Sequence, residues 1–346
     1  MTRFLAFAAV ERVLTVFSVR PWRKITRWEF WPIWAAYIPV VPWIALLAIR
    51  YRSLRLPALA NPTIPTGGLT GESKSAILRN LPNVPAWHLV NPGNQLRSNS
   101  FPVVAKPDVG ERGKGVAILH TAEELREHLS HITAPVIIQR YVAGLEFGVY
   151  YCRMPWEERG RILSITHKQF PVVIGDGRSS VAELIARDAR ASVITGIYRA
   201  NLHRIIDTIP AMGEKIELAQ LGTHSRGSVF IDATHRNTPA LEAAIDAIAR
   251  SHPSFHLGRF DLRVPSMEAF QQGEDLSILE LNGLGAEPTH IYDPRVTLLD
   301  AYRALWRHWK LAFEIGAWYR NKGMTLGKSI HTLLEGDPRN RRRVDV

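Results

Sequence analysis

GRFDLRV at 258–264 and ILELNG at 278–283 decide how this chain is read. Side chains of an extended strand alternate between its faces, so Arg259, Asp261 and Arg263 share one face and Phe260, Leu262 and Val264 the other. In the second segment Glu280 and Asn282 share a face, while Leu279 and Leu281 point toward the core. Were the two strands neighbours, Asp261, Glu280 and Asn282 would meet as oxygen ligands. Oxygen-only ligation suits Mg2+, which takes one or two carboxylates and fills its sphere with water and phosphate oxygens. The pattern therefore implies a nucleotide bound beside the strands, although two strands whose polar faces look at solvent would carry the same spacing.

Upstream, PVVAKPDVGERGKGV at 102–116 runs from an apolar strand into Lys106 and then a loop holding Gly110, Gly113 and Gly115. Small residues there let backbone amides approach phosphate oxygens, and the lysine adds a point charge. It is not a Walker A loop, because Asp108 stands where the first glycine of GxxxxGK[ST] belongs, and GDGRSS at 175–180 lacks the last glycine of GxGxxG. A plain hairpin turn with a surface lysine would look alike.

Taken in order, these motifs resemble the ATP-grasp superfamily, most nearly the D-alanyl-D-alanine ligases and the cyanophycin and glutathione synthetases. The resemblance covers about residues 70–315 and implies an α+β fold, in which two α/β subdomains grip ATP. It implies that Asp261, Glu280 and Asn282 bind the metal and that Arg259 stabilises the transferring phosphoryl group. Lys106, with Gly110, Arg112, Gly113 and Gly115 of a lid, is expected on the phosphates, and Lys74 takes the place of an earlier family lysine. VIIQRYVAGLEFGV looks like the hinge, so Gln139, Arg140, Tyr141 and Val142 would border adenine and Glu146 would accept ribose hydroxyls. Gln139 replaces a more usual glutamate. Lys168 would contact the γ-phosphate; His224 and Arg226, in a segment similar to one bordering the acceptor pocket, would hold an acyl phosphate or an anionic substrate. The implied cofactors are ATP and Mg2+, two ions, with Mn2+ an alternative. The implied assembly is a homodimer.

Composition sets the frame. With 46% hydrophobic and 22% charged residues the chain suits a folded protein, and 43 basic against 32 acidic residues favour an anionic partner. No nucleic-acid-reading motif accompanies the scattered basic residues, so nucleic acid is not the expected partner. One cysteine, Cys152, excludes an intrachain disulfide. From Phe30 to Ile49 no residue is charged, and Trp22, Trp28, Trp31, Trp34, Tyr37 and Trp43 supply amphipathic rings. Arg20, Arg23, Lys24 and Arg27 precede this run and Arg50, Arg52 and Arg55 follow it, while Pro32, Pro39 and Pro42 favour kinks. Both features favour a re-entrant hairpin over a single span, at the cytoplasmic face of the inner membrane where ATP is available. Ahead of it, Phe4, Phe7, Val10, Leu14 and Phe17 are spaced as in an interfacial helix.

The expected organisation is a membrane-associated segment over 1–55, a Pro- and Gly-rich linker over 56–72, the ATP-grasp domain over 73–320 and a basic tail over 321–346. A capping box is expected from Ser180 and Glu183, in a helical pattern at 179–196. The expected activity is ATP- and Mg2+-dependent joining of a small-molecule or lipid-linked carboxylate to an amine through an acyl phosphate. A small-molecule kinase and a non-catalytic nucleotide-binding protein stay open beside it.

Overall fold

The computed structural model describes residues 31–98, 100–110, 113–219, 221–223 and 226–325. Its contacts divide the chain into one unit made of 1–38 with 170–229 and a larger one made of 39–169 with 230–346. The expected 73–320 domain thus contains an insertion with a core of its own.

Helix α1 (Ile33–Tyr37) ends where Pro39, which lacks an N–H, caps α2 (Val40–Arg50). The uncharged run is therefore broken, as its prolines predicted. No helix among the described residues is long and apolar enough to cross a membrane. The interfacial helix expected near Phe4 to Phe17 lies outside the described residues, as does the tail beyond residue 325.

Residues 56–72, expected as a linker, are packed instead. Leu56, Leu59, Ala60, Asn61 and Ile64 are buried. The Asn61 side chain donates to the carbonyls of Gly67 and Leu257 and accepts from the amides of His256 and Leu257. Glycine and proline serve tight packing here: Gly67 and Gly68 adopt positive φ, and a Cβ on Gly68 would lie 2.6 Å from Gly283 Cα.

Beyond the short helix α3 (Lys74–Leu78), a four-stranded antiparallel sheet holds β1 (Trp87–Val90), β2 (Val103–Pro107), β3 (Ala117–Leu119) and, after α4 (Ala122–Ser130), β4 (Val136–Arg140), in the order β1-β4-β2-β3. The second sheet begins with β5 (Leu145–Cys152) and β6 (Arg161–Gln169). The insertion follows, with β7 (Val172–Ile174), α5 (Val181–Arg187), α6 (Thr195–Asn201) and β8 (Lys215–Glu217). Then come β9 (Val229–Asp232), α7 (Pro239–Ser251), β10 (Leu257–Val264), α8 (Met267–Gln272), β11 (Ser277–Asn282) and α9 (Leu298–Asn321). The second sheet runs β11-β10-β5-β6-β9. Phe260, Leu262 and Val264 pack with Leu241 and Ile245 of α7 and Phe270 of α8, as alternation predicted. That leaves the Arg259, Asp261, Arg263 face for chemistry.

Within the insertion β7 pairs with β8, and Ser180 and Glu183 form the expected capping box at α5. The helical pattern at 179–196 does not run through. Asp188 accepts from the amides of Arg190 and Ala191, which starts a new turn and ends α5 at Arg187.

Three histidines of the larger unit are buried as neutral rings. His256 meets the Arg153 carbonyl at 2.9 Å and the Tyr319 hydroxyl at 2.7 Å, His308 meets the Tyr150 hydroxyl, and His252 the Pro253 carbonyl. Burial pushes each down to about 4. Between pH 6.5 and 4 the unfolded chain takes up protons that the folded one refuses, so stability falls with pH across that window by about 1.4 kcal/mol per unit per histidine. Urea unfolding followed from pH 7 to 4 should therefore report uptake of two to three protons. Uptake of fewer than one would contradict the burial of these rings.

Candidate functional site

Strands β10 and β11 are antiparallel neighbours, with Arg259 opposite Asn282 and Asp261 opposite Glu280. Directly paired residues project to the same side of a sheet, so the three proposed metal ligands are brought together as the spacing suggested. The register then shifts, because Leu262 faces Ile278 and Leu279 is an extra residue in a β-bulge. This corrects the expectation for Leu279: Ile278 and Leu281 enter the core and Leu279 does not. Its carbonyl accepts from Lys106 Nζ at 2.8 Å, and Gln139 Oε1 accepts from the same ammonium at 2.9 Å. Lys106, at the end of β2, thus reaches from the first sheet to the second. Burial lowers it to about 8 despite the Glu280 carboxylate nearby.

Behind the ligands lies a buried row of alternating charges. Arg263 Nε donates to Glu146 Oε2 at 2.9 Å, and Lys168 Nζ lies 3.1 Å from Glu146 Oε1 and 3.0 Å from Asp261 Oδ1. Arg259 grips Asp261 through Nε at 2.9 Å and Nη2 at 3.2 Å. Burial alone would raise the Asp261 carboxyl, but Arg259 and Lys168 outweigh it and hold it at about 2. Asp261 is therefore ionised. Close packing sustains the row: a Cβ on Gly148, opposite Asp261 on β5, would lie 3.3 Å from its Oδ1 and 3.2 Å from Arg259 Cδ. The polar face of β10 does not simply look at solvent, since Asp261 and Arg263 are buried.

The donor chemistry fits a hard divalent cation. Asp261 and Glu280 supply carboxylates, and Asn282 directs Nδ2 at Asp261 Oδ2, 3.4 Å away, leaving its amide oxygen as the neutral donor. Among the described residues no cluster of three His, Cys, Asp or Glu offers a rival site.

Lys74 Nζ stands 3.5 Å from Glu280 and donates to the Gly110 carbonyl at 2.5 Å, tying the glycine loop to β11. Asp108, the residue that excluded a Walker A reading, holds the start of α3: it accepts from the Ser75 amide at 2.7 Å and the Ser73 hydroxyl at 2.8 Å. Gly113 and Gly115 adopt positive φ; a Cβ on Gly115 would approach Pro107 to 2.9 Å. Arg112 and His224 lie outside the described residues, and Arg226 belongs to the insertion.

Several expected nucleotide contacts are modified. The Arg140 and Tyr141 amides donate to the carbonyls of Ala86 and Pro102, and the Val142 carbonyl accepts from Arg263 Nη1 at 2.6 Å. These groups hold the hinge itself, each backbone polar group having a partner within the chain. Gln139 grips Lys106 with its oxygen, leaving Nε2 as a buried donor with no protein partner. Glu146, expected on ribose, has each oxygen engaged by a cation, and Lys168, expected on the γ-phosphate, is buried between two carboxylates. Arg263, assigned no role from the sequence, links β5 to the hinge and stacks on Tyr141 with 4.9 Å from guanidinium carbon to ring centre. Its place on the Arg259 and Asp261 face was the available signal.

No family model matches the chain. Over 159 residues it is 32% identical to the cyanophycin synthetase of a Nostoc species, a match covering 40% of this chain and 17% of that protein. The cyanophycin synthetase of Trichormus variabilis is 30% identical over the same length. The chain resembles ATP-grasp ligases. It spans only 17% of the length of these curated relatives. Among solved structures it is similar to a D-alanine–D-alanine ligase of Bacillus anthracis, with 15% identity, TM-score 0.46 and coverage of 75% of this chain and 71% of that one. A bifunctional glutathione synthetase of Pasteurella multocida gives 19% identity, TM-score 0.35 and coverage of 67% and 35%.

Proposed function

We propose that the chain is an ATP- and Mg2+-dependent ligase that joins a carboxylate to an amine through an acyl phosphate at a membrane face. The observation that carries this is the pairing of Asp261 with Glu280 beside Asn282, with Lys106 of the other sheet bonded to the carbonyl of Leu279, next to Glu280. Such a set gathers charge suited to a metal-bound triphosphate. Mg2+ held by Asp261, Glu280 and Asn282 would supply charge neutralisation at phosphate oxygens. Lys106 and Lys74 add positive charge from the side of the first sheet, and Arg259, fixed by Asp261, presents a guanidinium to the transferring group. The substrate carboxylate attacks the γ-phosphorus, ADP leaves, and the amine then displaces phosphate from the acyl carbon, yielding an amide and a proton. The glycine loop, tied to β11 through Lys74, would exclude the water that hydrolyses acyl phosphates.

Hydroxylamine tests the reading, since it traps an acyl phosphate as a hydroxamate. Incubating the full chain with ATP, Mg2+, hydroxylamine and panels of amino acids, peptides and lipid extracts should give carboxylate-dependent ADP and a hydroxamate detected by mass. A stable phosphorylated product without hydroxamate would make it a kinase. Tight ATP binding without turnover on any panel would make it a nucleotide-binding protein.

A further inference from the structure

Helix α2 is apolar all the way round until Arg50. On one side Trp43, Ile44, Leu47 and Ala48 pack with Leu56 and Leu59 and with Trp309, Phe313 and Ala317 of α9. The Trp43 indole donates to the Trp306 carbonyl at 2.9 Å. On the other side Val41, Pro42, Ala45, Leu46 and Ile49, at the spacing of one helix face, are all exposed. Val41 is 57%, Leu46 55% and Ile49 74% accessible, although a water-facing helix would carry charge there. Positive charge gathers where this face ends: Arg50, Arg52 and Arg55 are exposed, and exposed Arg320 of α9 donates to the Tyr51 carbonyl at 2.7 Å. An open groove beside the helix is lined by Trp43, Leu46, Leu47, Arg50, Tyr51, Lys310 and Glu314, the last 3.7 Å from Lys310.

We propose that the outer face of α2 docks the protein on one leaflet of an anionic bilayer, with the helix lying in the membrane plane. Eleven residues of helix reach about 16 Å, half the thickness of a bilayer core of about 30 Å, so α2 is too short to span and lies along one leaflet. Val41, Leu46 and Ile49 enter the acyl layer, and the arginines meet lipid phosphates. A lipid phosphate between Arg50 and Lys310 would lay its chain along Trp43 and Leu46. Charge argues for lipid, because the exposed arginines gathered at one end of this uncharged face complement anionic headgroups. The inference deepens the membrane part of the proposed function and rests on α2, so it stands whether or not the ligase chemistry does.

Cys152 is fully buried, so an Ile49→Cys variant of the full chain can carry a single environment-sensitive dye. Its emission should shift to the blue on vesicles containing phosphatidylglycerol, less on pure phosphatidylcholine, and less again at high salt. Leu46→Glu with Val41→Glu should cut co-sedimentation with anionic vesicles at least about ten-fold, with the thermal midpoint unchanged. The proposal is overturned by a dye that does not respond to vesicles, or by co-sedimentation equal to wild type. It is equally overturned by blue emission without vesicles: at high dilution this means cover from the chain itself, and if it tracks protein concentration, a second copy. ATP turnover in vesicle-free buffer reads the ligase proposal separately.

Discussion

Glu280→Gln should lower substrate-dependent ADP formation at least about 100-fold while barely moving the unfolding midpoint. Its side chain is 28% accessible and its ion pair among the described residues is with Lys74, at 3.5 Å, so folding loses little when the charge goes. Catalysis loses twice. One of the two carboxylates of the proposed metal site becomes a neutral amide, and Lys106, already lowered to about 8 by burial, loses the carboxylate that most opposes that shift. Calorimetric titration should show Mg2+-dependent ATP binding weakened in the variant. Asp261→Asn removes the other carboxylate but confounds the reading: buried Arg259 would lose its carboxylate partner and Lys168 one of its two, at a cost of about 3–5 kcal/mol. Wild-type turnover by Glu280→Gln would remove the metal assignment, and with it the proposed chemistry.

The alternation of GRFDLRV was legible because period-two patterning fixes faces whatever the partner strand, and Phe260, Leu262 and Val264 entered the core accordingly. The bulge at Leu279 was not. An inserted residue reveals itself only through the partner's register, and a leucine beside an isoleucine gives no hint of which one leaves the core. The Pro and Gly of residues 56–72 mark a linker by composition, which alone does not separate a loose linker from turns held by Asn61, whose partners His256 and Leu257 stand some two hundred residues away. Local signals such as the Ser180 and Glu183 box survived, whereas the insertion that contains it was invisible, because its strands and helices continue the α/β rhythm around it. Within the candidate site the shared face of Asp261, Glu280 and Asn282 was legible and the buried charge row was not. Glu146, Lys168 and Arg263 sit on three strands, and only the cross-strand pairs Glu146 with Lys168 and Arg263 with Glu146 bring them together.

That row makes Glu146→Gln a strongly damaging change to the fold. Glu146 is buried between Lys168 and Arg263, each within 3.1 Å, and the amide would leave both cations short of charge in a site where water cannot replace it. Stranding a buried ion costs about 3–5 kcal/mol, a large share of the stability of an ordinary domain. The damage should travel along the row to the hinge, because Arg263 also holds the Val142 carbonyl and stacks on Tyr141. ATP affinity should therefore fall even in molecules that remain folded. Lys168→Met made together with Glu146→Gln removes one of the stranded cations, so the double variant should recover part of the loss, with a coupling of about 1–3 kcal/mol in urea unfolding. Strict additivity of the two substitutions would mean that Glu146 and Lys168 do not act as a pair. Lys168 would then be held by Asp261 alone, and the row behind the proposed metal site would not act as a continuous chain of charges.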